Sequence, residues 1–255
     1  MALDPRAERA FGSEADAYER HRPGWPADGV SWALRHLALG ADAEVVDLAA
    51  GTGKLTRELI PMVRRVIAVE PSADMRRALA ALVPDAEVLD GTAEALPLPD
   101  ASVDAVFAAE AFHWFATREA VREIARVVRP GGGLGLMWNM HDFGSEHWHT
   151  EVFAALGEVG APAAGQLGRH ELESWGDAFE GAPFDCFEEF TVAHEQHTDA
   201  PGLVGHVLTW SHLRVLDQAE QKELRRKLLS ALERAHVGPD VAIPYCTRVY
   251  CARRI

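Results

Sequence analysis

Residues 47–59 read DLAAGTGKLTREL, and what stands on either side of this stretch decides the fold. Before it, Glu44 to Ala49 form an apolar run of strand length; from about Gly53 onward the spacing becomes helical. A strand that runs straight into a glycine turn and out into a helix is the opening unit of a parallel α/β sheet. Gly51 and Gly53 reach torsion angles that a Cβ disfavours and let the backbone lie against a ligand. The helix start points free N–H groups and the positive end of its dipole at the same place. Nineteen residues beyond Gly51, Glu70 ends the next apolar run, Val66 to Glu70. An acidic side chain about 20 positions on is where a ribose diol would be hydrogen-bonded.

The ligand is narrowed by exclusion. A phosphate-cradling GxxxxGK[ST] loop is ruled out, because Leu48 stands where its first glycine belongs and Leu55 follows Lys54. The dinucleotide pattern GxGxxG would need glycine where Thr56 stands. An adenosine cofactor without a diphosphate suits the turn better. A glycine-rich βα turn that binds nothing is the plainer alternative, and Glu70 is the residue that speaks against it.

Outward from the turn, apolar runs alternate with helix-like stretches. Residues 5–21 read as a helix, broken by Arg22-Pro23-Gly24-Trp25-Pro26, and a second helix over about 27–39 stops at Gly40. Ser72 is an expected N-cap for a helix through Leu82. Strands are expected at about Ala86 to Asp90, Val103 to Ala108 and Leu134 to Trp138, with a helix through Val128 before the glycine run 131–133. Beyond Asn139 the reading is a helix to about Val159, a strand over about Phe187 to His194, helices at about 200–213 and 217–236, and a last strand from about Tyr245 to Ala252. The expected fold is α/β, Rossmann-like: a seven-stranded, mostly parallel sheet with helices on both faces and a helical lid or cap. One domain over 1–255 is expected, with a cofactor-binding half at about 40–139 and lid material at about 140–180 and 197–216.

Composition limits the partners. The chain has 255 residues, 48% hydrophobic content and a net charge of −14. That balance disfavours nucleic acid, whose binders need a basic surface to displace counterions. Lys222, Arg225, Arg226 and Lys227 read as one solvated helix face. No apolar run reaches membrane-spanning length and the first residues lack a signal pattern, so a cytoplasmic protein without membrane association is expected. Cys186, Cys246 and Cys251 are too sparse for a disulfide framework.

With these pieces in place the chain resembles the class I S-adenosylmethionine-dependent methyltransferases of the broad type 11 methyltransferase-domain group. The resemblance rests on AxxYERHRPGWP at 15–26, VVDLAAGTGKLT at 45–56, VIAVEPSADM at 66–75, GTAEALPLPDASVDAV at 91–106, AAEAFHWF at 108–115 and ARVVRPGGGLGLMWN at 125–139. It covers about half the chain. It implies S-adenosyl-L-methionine as cofactor and methyl transfer (EC 2.1.1) to the O, N or C nucleophile of a small molecule. Residue by residue, it implies that Asp47 and the backbone through Ala49, Gly51, Thr52 and Gly53 hold the methionine moiety. Glu70 would take the ribose hydroxyls, Pro71 and Met75 would wall the adenine, and Thr92, Ala93 and Glu94 would line its edge. Glu110 would face the sulfonium, while Tyr18 and Arg22 close over the methionine end, Arg22 pairing its carboxylate. Three residues depart from the pattern: Ala49 for the usual first glycine, Thr92 for a frequent aspartate, and Glu110 where glutamine is common.

Methyl transfer from a sulfonium is an in-line displacement, so alignment can supply most of the acceleration and no catalytic side chain is universal. His113 is the candidate base, at the carboxyl edge of the sheet; packing beside Trp114 is the blander reading. Trp114, Trp138, Asn139, Trp210 and His212 are candidates for the acceptor pocket, with core packing equally open for the tryptophans; Trp148 shares this reading. His141, His147 and His149 lack a metal-binding spacing, and so do His194 and His197, so no metal is expected. Two rival functions keep the fold: a nicotinamide-dependent oxidoreductase, and a cofactor-binding protein without catalysis.

Overall fold

The computed structural model describes residues 15–142, 147–157, 175–210, 213 and 216–255. Seven strands form one sheet in the order β3-β2-β1-β4-β5-β7-β6. They are β1 (Glu44–Leu48), β2 (Arg65–Val69), β3 (Glu87–Leu89), β4 (Val103–Ala109), β5 (Val128–His141), β6 (Glu188–Thr198) and β7 (Val241–Arg253). The first five run parallel, and β7 returns antiparallel between β5 and β6. The described helices are α1 (Ala15–His21), α2 (Ala27–His36), α3 (Lys54–Leu59), α4 (Ala73–Leu82), α5 (Arg118–Val127), α6 (His147–Gly157), α7 (Ala200–Leu208) and α8 (Gln218–Arg234).

Alternation along the central strands explains the layers. Val45, Val66, Ala105 and Phe107 point to one face and pack with Val30, Leu34, Leu55 and Leu59 of α2 and α3. Their neighbours Val46, Leu48, Ile67, Val69 and Val106 point to the other and meet Val121 and Ile124 of α5. A strand buried on both faces is mostly apolar, as β1 and β4 are apart from Glu44, Asp47 and Asp104. Each such valine, leucine or phenylalanine contributes about 1.5–3 kcal/mol by leaving water.

Caps set the helix starts. The Ser72 side chain accepts from the Met75 N–H, as expected, and Thr117 does the same for Ala120 at the start of α5. Asp217 and Glu220 form a reciprocal capping box on α8. The second helix ends at His36, short of the expected 39, because Ala38 turns left-handed at φ 57°.

The largest differences from the expected elements are on the far side of the sheet. Strand β5 starts at Val128 and absorbs the glycine run through a register shift: Val103 pairs with Val128, but Ala105 pairs with Gly133. Glycine is required there, since a Cβ on Gly132 would stand 2.2 Å from the Asp104 carbonyl oxygen. β6 and β7 are longer than expected because they form an extended antiparallel ladder, Glu188↔Cys251 through Thr198↔Val241. Residues 197 and 198, placed at the edge of a lid in the sequence reading, belong to this ladder. In β7 the two cysteines alternate, Cys251 buried and Cys246 half-buried, and both are free thiols.

A separate apolar cluster joins α6, α7 and α8 into a cap. Trp148, Val152, Leu203, Val204, Leu224 and Leu228 pack together with Ile243 and Tyr245 of β7. Because β7 is antiparallel, Tyr245 lies opposite His141, so the cap stands over the carboxyl ends of the parallel strands.

Candidate functional site

The crevice lies where strand order reverses, between β1 and β4, at the carboxyl ends of both. Such switch points are where open α/β sheets take ligands. Its floor is the turn after β1: Asp47, Ala49, Ala50, Gly51 and Thr52, with Lys54 and Leu55. One wall comes from the end of β4 and β5 through Ala109, Glu110 and Asn139; another comes from α1 and the segment after it through Tyr18, Arg22, Pro23 and Trp25. Tyr245, from the far strand β7, completes the lining.

The two glycines of the turn do different work. Gly51 sits at φ 58°, and a Cβ there would meet nothing within 4 Å, so its bare face looks onto open space. Gly53, at φ 85°, N-caps α3, and a Cβ would press on Val83 at 2.9 Å and Leu79 at 3.1 Å. The first leaves room for a ligand and the second lets α4 pack against the turn. Ala49 takes φ 56° despite its methyl group, a conformation that costs a non-glycine residue about 1–2 kcal/mol.

Two buried carboxyl groups lie under the turn. Glu70 is 6% exposed, and its oxygens accept from the N–H of Gly51 at 2.9 Å and of Ser72 at 2.8 Å. Each oxygen keeps a further lone pair for a diol. Burial pushes the Glu70 pKa up, while these N–H donors and Arg76 pull it down. Asp47 is 1% exposed and accepts from the Thr56 hydroxyl at 2.6 Å. Burial pushes its pKa up to about 7, against the Thr56 hydrogen bonds and with help from the Glu70 charge.

On the opposite wall, Glu110 adopts φ 54° and accepts from the Asn139 N–H at 2.6 Å. The guanidinium of Arg22 lies 5.8 Å from the centre of the Tyr18 ring and donates to the Thr209 carbonyl at 3.1 Å. Its Nε is buried with no partner among the described residues. An orphaned cationic donor in a pocket wall suits an anionic ligand group.

Of the residues expected at a cofactor, the crevice brings together Tyr18, Arg22, Asp47, Ala49, Gly51, Thr52 and Glu110. Glu70 sits directly beneath, against Gly51. Pro71, Met75, Thr92, Ala93 and Glu94 lie outside this lining, along the edge where β2 and β3 end; Met75 and Ala93 are buried there. Among the described acceptor-pocket candidates only Asn139 lines the crevice. Trp138 stacks on Trp175 and Trp114 tilts against His113, while Trp210 packs over His141. His212 lies outside the described residues.

His113 sits behind Trp138, whose indole N–H donates to His113 Nδ1 at 3.4 Å, and it does not line the crevice. Burial lowers its pKa to about 4, so the ring is neutral at physiological pH. Closer to the pocket lies a polar hub that sequence reasoning missed. His206 Nδ1 is 3.0 Å from the His21 carbonyl, and its Nε2 takes the Trp210 indole N–H at 3.2 Å. A carbonyl only accepts and an indole N–H only donates, so His206 is neutral with its proton on Nδ1. His141 Nε2, 2.8 Å from His206 Nε2, must then be the donor of that pair. The Tyr245 hydroxyl lies 3.3 Å from the same nitrogen. Burial drives the His141 pKa down to about 3 and pushes that of Tyr245 above its ordinary range. Apart from His206 and Trp210, four positions apart, these groups come from strands and helices far apart in the chain, so no local spacing could have revealed the hub. Among the described residues no cluster of three or more His, Cys, Asp or Glu could hold a metal ion, and no helix is long and apolar enough to cross a membrane.

Residues 46–136 match a family described as a methyltransferase domain. An uncharacterized methyltransferase of Mycobacterium tuberculosis (strain ATCC 25618 / H37Rv) is 45% identical over 93% of either chain. A methyltransferase-like protein of Schizosaccharomyces pombe is 37% identical over 58% of each. Among solved structures, a protein from Anaeromyxobacter dehalogenans provisionally described as a type II methyltransferase superposes with a TM-score of 0.63 at 22% identity, covering 91% of this chain and 96% of that one. The YcgJ protein of Bacillus subtilis does so with a TM-score of 0.55 at 17% identity, covering 90% and 99%. These two share the fold.

Proposed function

Because the chain belongs to the class I S-adenosylmethionine-dependent methyltransferases of the methyltransferase-domain family, we propose that the crevice after β1 is where it holds that cofactor and methylates a small-molecule acceptor. Family membership also displaces the nicotinamide alternative. The observation that carries the assignment is the open face of Gly51, set between the buried Glu70 carboxylate and the orphaned Arg22 Nε.

The residues divide the cofactor by its chemistry. Arg22 takes the methionine carboxylate, and Asp47 with the turn backbone takes the ammonium end. Glu70 receives the ribose hydroxyls on its spare lone pairs. Pro71, Met75, Thr92, Ala93 and Glu94 wall the adenine, and Glu110 offers negative charge on the sulfonium side. The bound group supplies an electrophilic methyl; the chain supplies alignment and exclusion of water. Asn139 and Tyr245 line the same crevice and form the side from which an acceptor enters. The net charge of −14 favours a small acceptor over a polyanion.

Calorimetry with S-adenosylmethionine on the purified chain tests the binding half. A screen of a metabolite pool for released S-adenosylhomocysteine then finds the acceptor. A chain to which S-adenosylmethionine adds no heat and no thermal stability would sink the assignment.

A further inference from the structure

Helix α1 carries one residue of the pocket wall, Tyr18, and leads directly into a second, Arg22, yet none of its seven residues is buried. With its residues at most half-buried, polar ties carry much of what holds it in place. At its far end the ties run to the cap and the sheet edge. The His21 carbonyl accepts from Gln196 Nε2 at 3.0 Å, and Arg22 donates to the Thr209 carbonyl. At its near end three ties converge on Glu19. One Glu19 oxygen accepts from the Thr52 hydroxyl at 2.6 Å and the other from Arg57 Nη2 at 2.6 Å. The Lys54 ammonium donates to the Glu19 carbonyl at 2.8 Å and lies 3.7 Å from its carboxylate.

Three donors from the glycine turn and the first turns of α3 thus meet a single residue of the helix that closes the pocket. Thr52 is 1% exposed, and the side chains of Glu19 and Lys54 are 24% and 13% exposed. Pairs this sheltered are screened by salt less than surface pairs, though not fully.

Resting on the cofactor reading above, we infer that Glu19 is a positioning residue that latches α1 across the glycine turn and so sets the rate at which the cofactor product leaves. With the latch broken, α1 stays tethered at His21 and at Arg22 beyond it and loosens from the glycine turn, opening the methionine end. The carboxylate does not touch the reacting atoms. Its effect is on residence time.

The test uses the full chain and S-adenosylhomocysteine as probe, with dissociation followed by stopped flow after chasing with excess competitor. Glu19→Ala should speed dissociation about tenfold, the loss of roughly one coupled ionic contact. Arg57→Ala should speed it less, and the double variant no more than Glu19→Ala alone, since both remove one interaction. Dissociation from the unaltered chain should quicken as salt rises from about 0.05 to 0.5 M, and that dependence should shrink in Glu19→Ala. Melting of the ligand-free variants separates a latch from a folding defect. Should Glu19→Ala unfold, Arg57→Ala, which leaves the Thr52 contact intact, carries the same comparison. Dissociation at the unaltered rate and salt slope, or fully additive effects, overturns the latch. Failure of the unaltered chain to bind the probe overturns the cofactor reading instead.

Discussion

Asp47 sits where sequence and chemistry meet most closely. The motif places an acid before the glycine turn, but only burial makes it titrate near neutrality, with its pKa pushed up to about 7. In the ligand-free chain this carboxyl is therefore partly protonated at neutral pH. An ammonium group beside it favours the ionised form, so binding should expel a proton and tighten as pH rises through about 7. Calorimetry with S-adenosylmethionine at pH 6.5, in two buffers of different ionisation enthalpy, should show that release, and Asp47→Asn should abolish it. Heats that do not depend on buffer would contradict the assignment. Ala49 shows what a motif can hide: the departure from glycine was visible, yet the chain keeps the left-handed turn regardless. Glu19 lies inside a recognisable motif between Tyr18 and Arg22, but its partners are 33 and 38 positions away. Nothing local announces them.

At the scale of elements, the parallel half was legible because its signals are local. An apolar run of strand length, a cap such as Ser72 and a breaker such as Pro23 each act within a few residues. β5 was harder, since the run Gly131 to Gly133 reads as a loop until β4 and β7 lie on either side of it. Gly132, Gly133 and Gly135 answer to close neighbours, whereas Gly131 sits at φ 81° with open space beside it. A Cβ on Gly135 would stand 2.5 Å from the Phe107 ring, which is fully buried. Gly135→Ala must displace that ring, at a cost of about 1–3 kcal/mol. Its melting temperature should fall by several degrees, at about 2–4 °C per kcal/mol for a domain of this size. An unchanged melt would show that the core yields more easily than its packing implies.

For the molecule as a whole, buried ionisable groups pull stability in opposite directions on acidification. His113 and His141, with pKa values lowered to about 4 and about 3, stay neutral when folded. Once unfolded they bind protons below about pH 6.5, so stability present above that pH is lost as it falls. Each contributes roughly 2 kcal/mol of loss by pH 5, and His206, lowered for the same reason, adds to it. Asp47 works the other way: its raised pKa favours the folded state below about 7, and the raised pKa of Glu70 acts in the same sense. The histidines outnumber the carboxyls, so the melting temperature of the ligand-free chain should be lower at pH 5 than at pH 6.5. The drop should be steeper in Asp47→Asn, which removes part of the offset. A flat profile in both chains would show that these rings are hydrated.

The sequence by itself determined the parallel half: the order of its strands and helices, the glycine turn, the acid at the end of β2 and the family they belong to. All of these depend on the chain's own neighbours, and periodicity and turn chemistry report such neighbours directly. Only the tertiary structure decided that Tyr245 reaches the crevice, that His113 is turned away from it, and that His21, His141, His206 and Trp210 share one hub. Those placements follow from an antiparallel return and a packed cap, in which the hub joins His21 to His206 across 185 positions. Contacts at that separation leave no periodic trace in the residues between them.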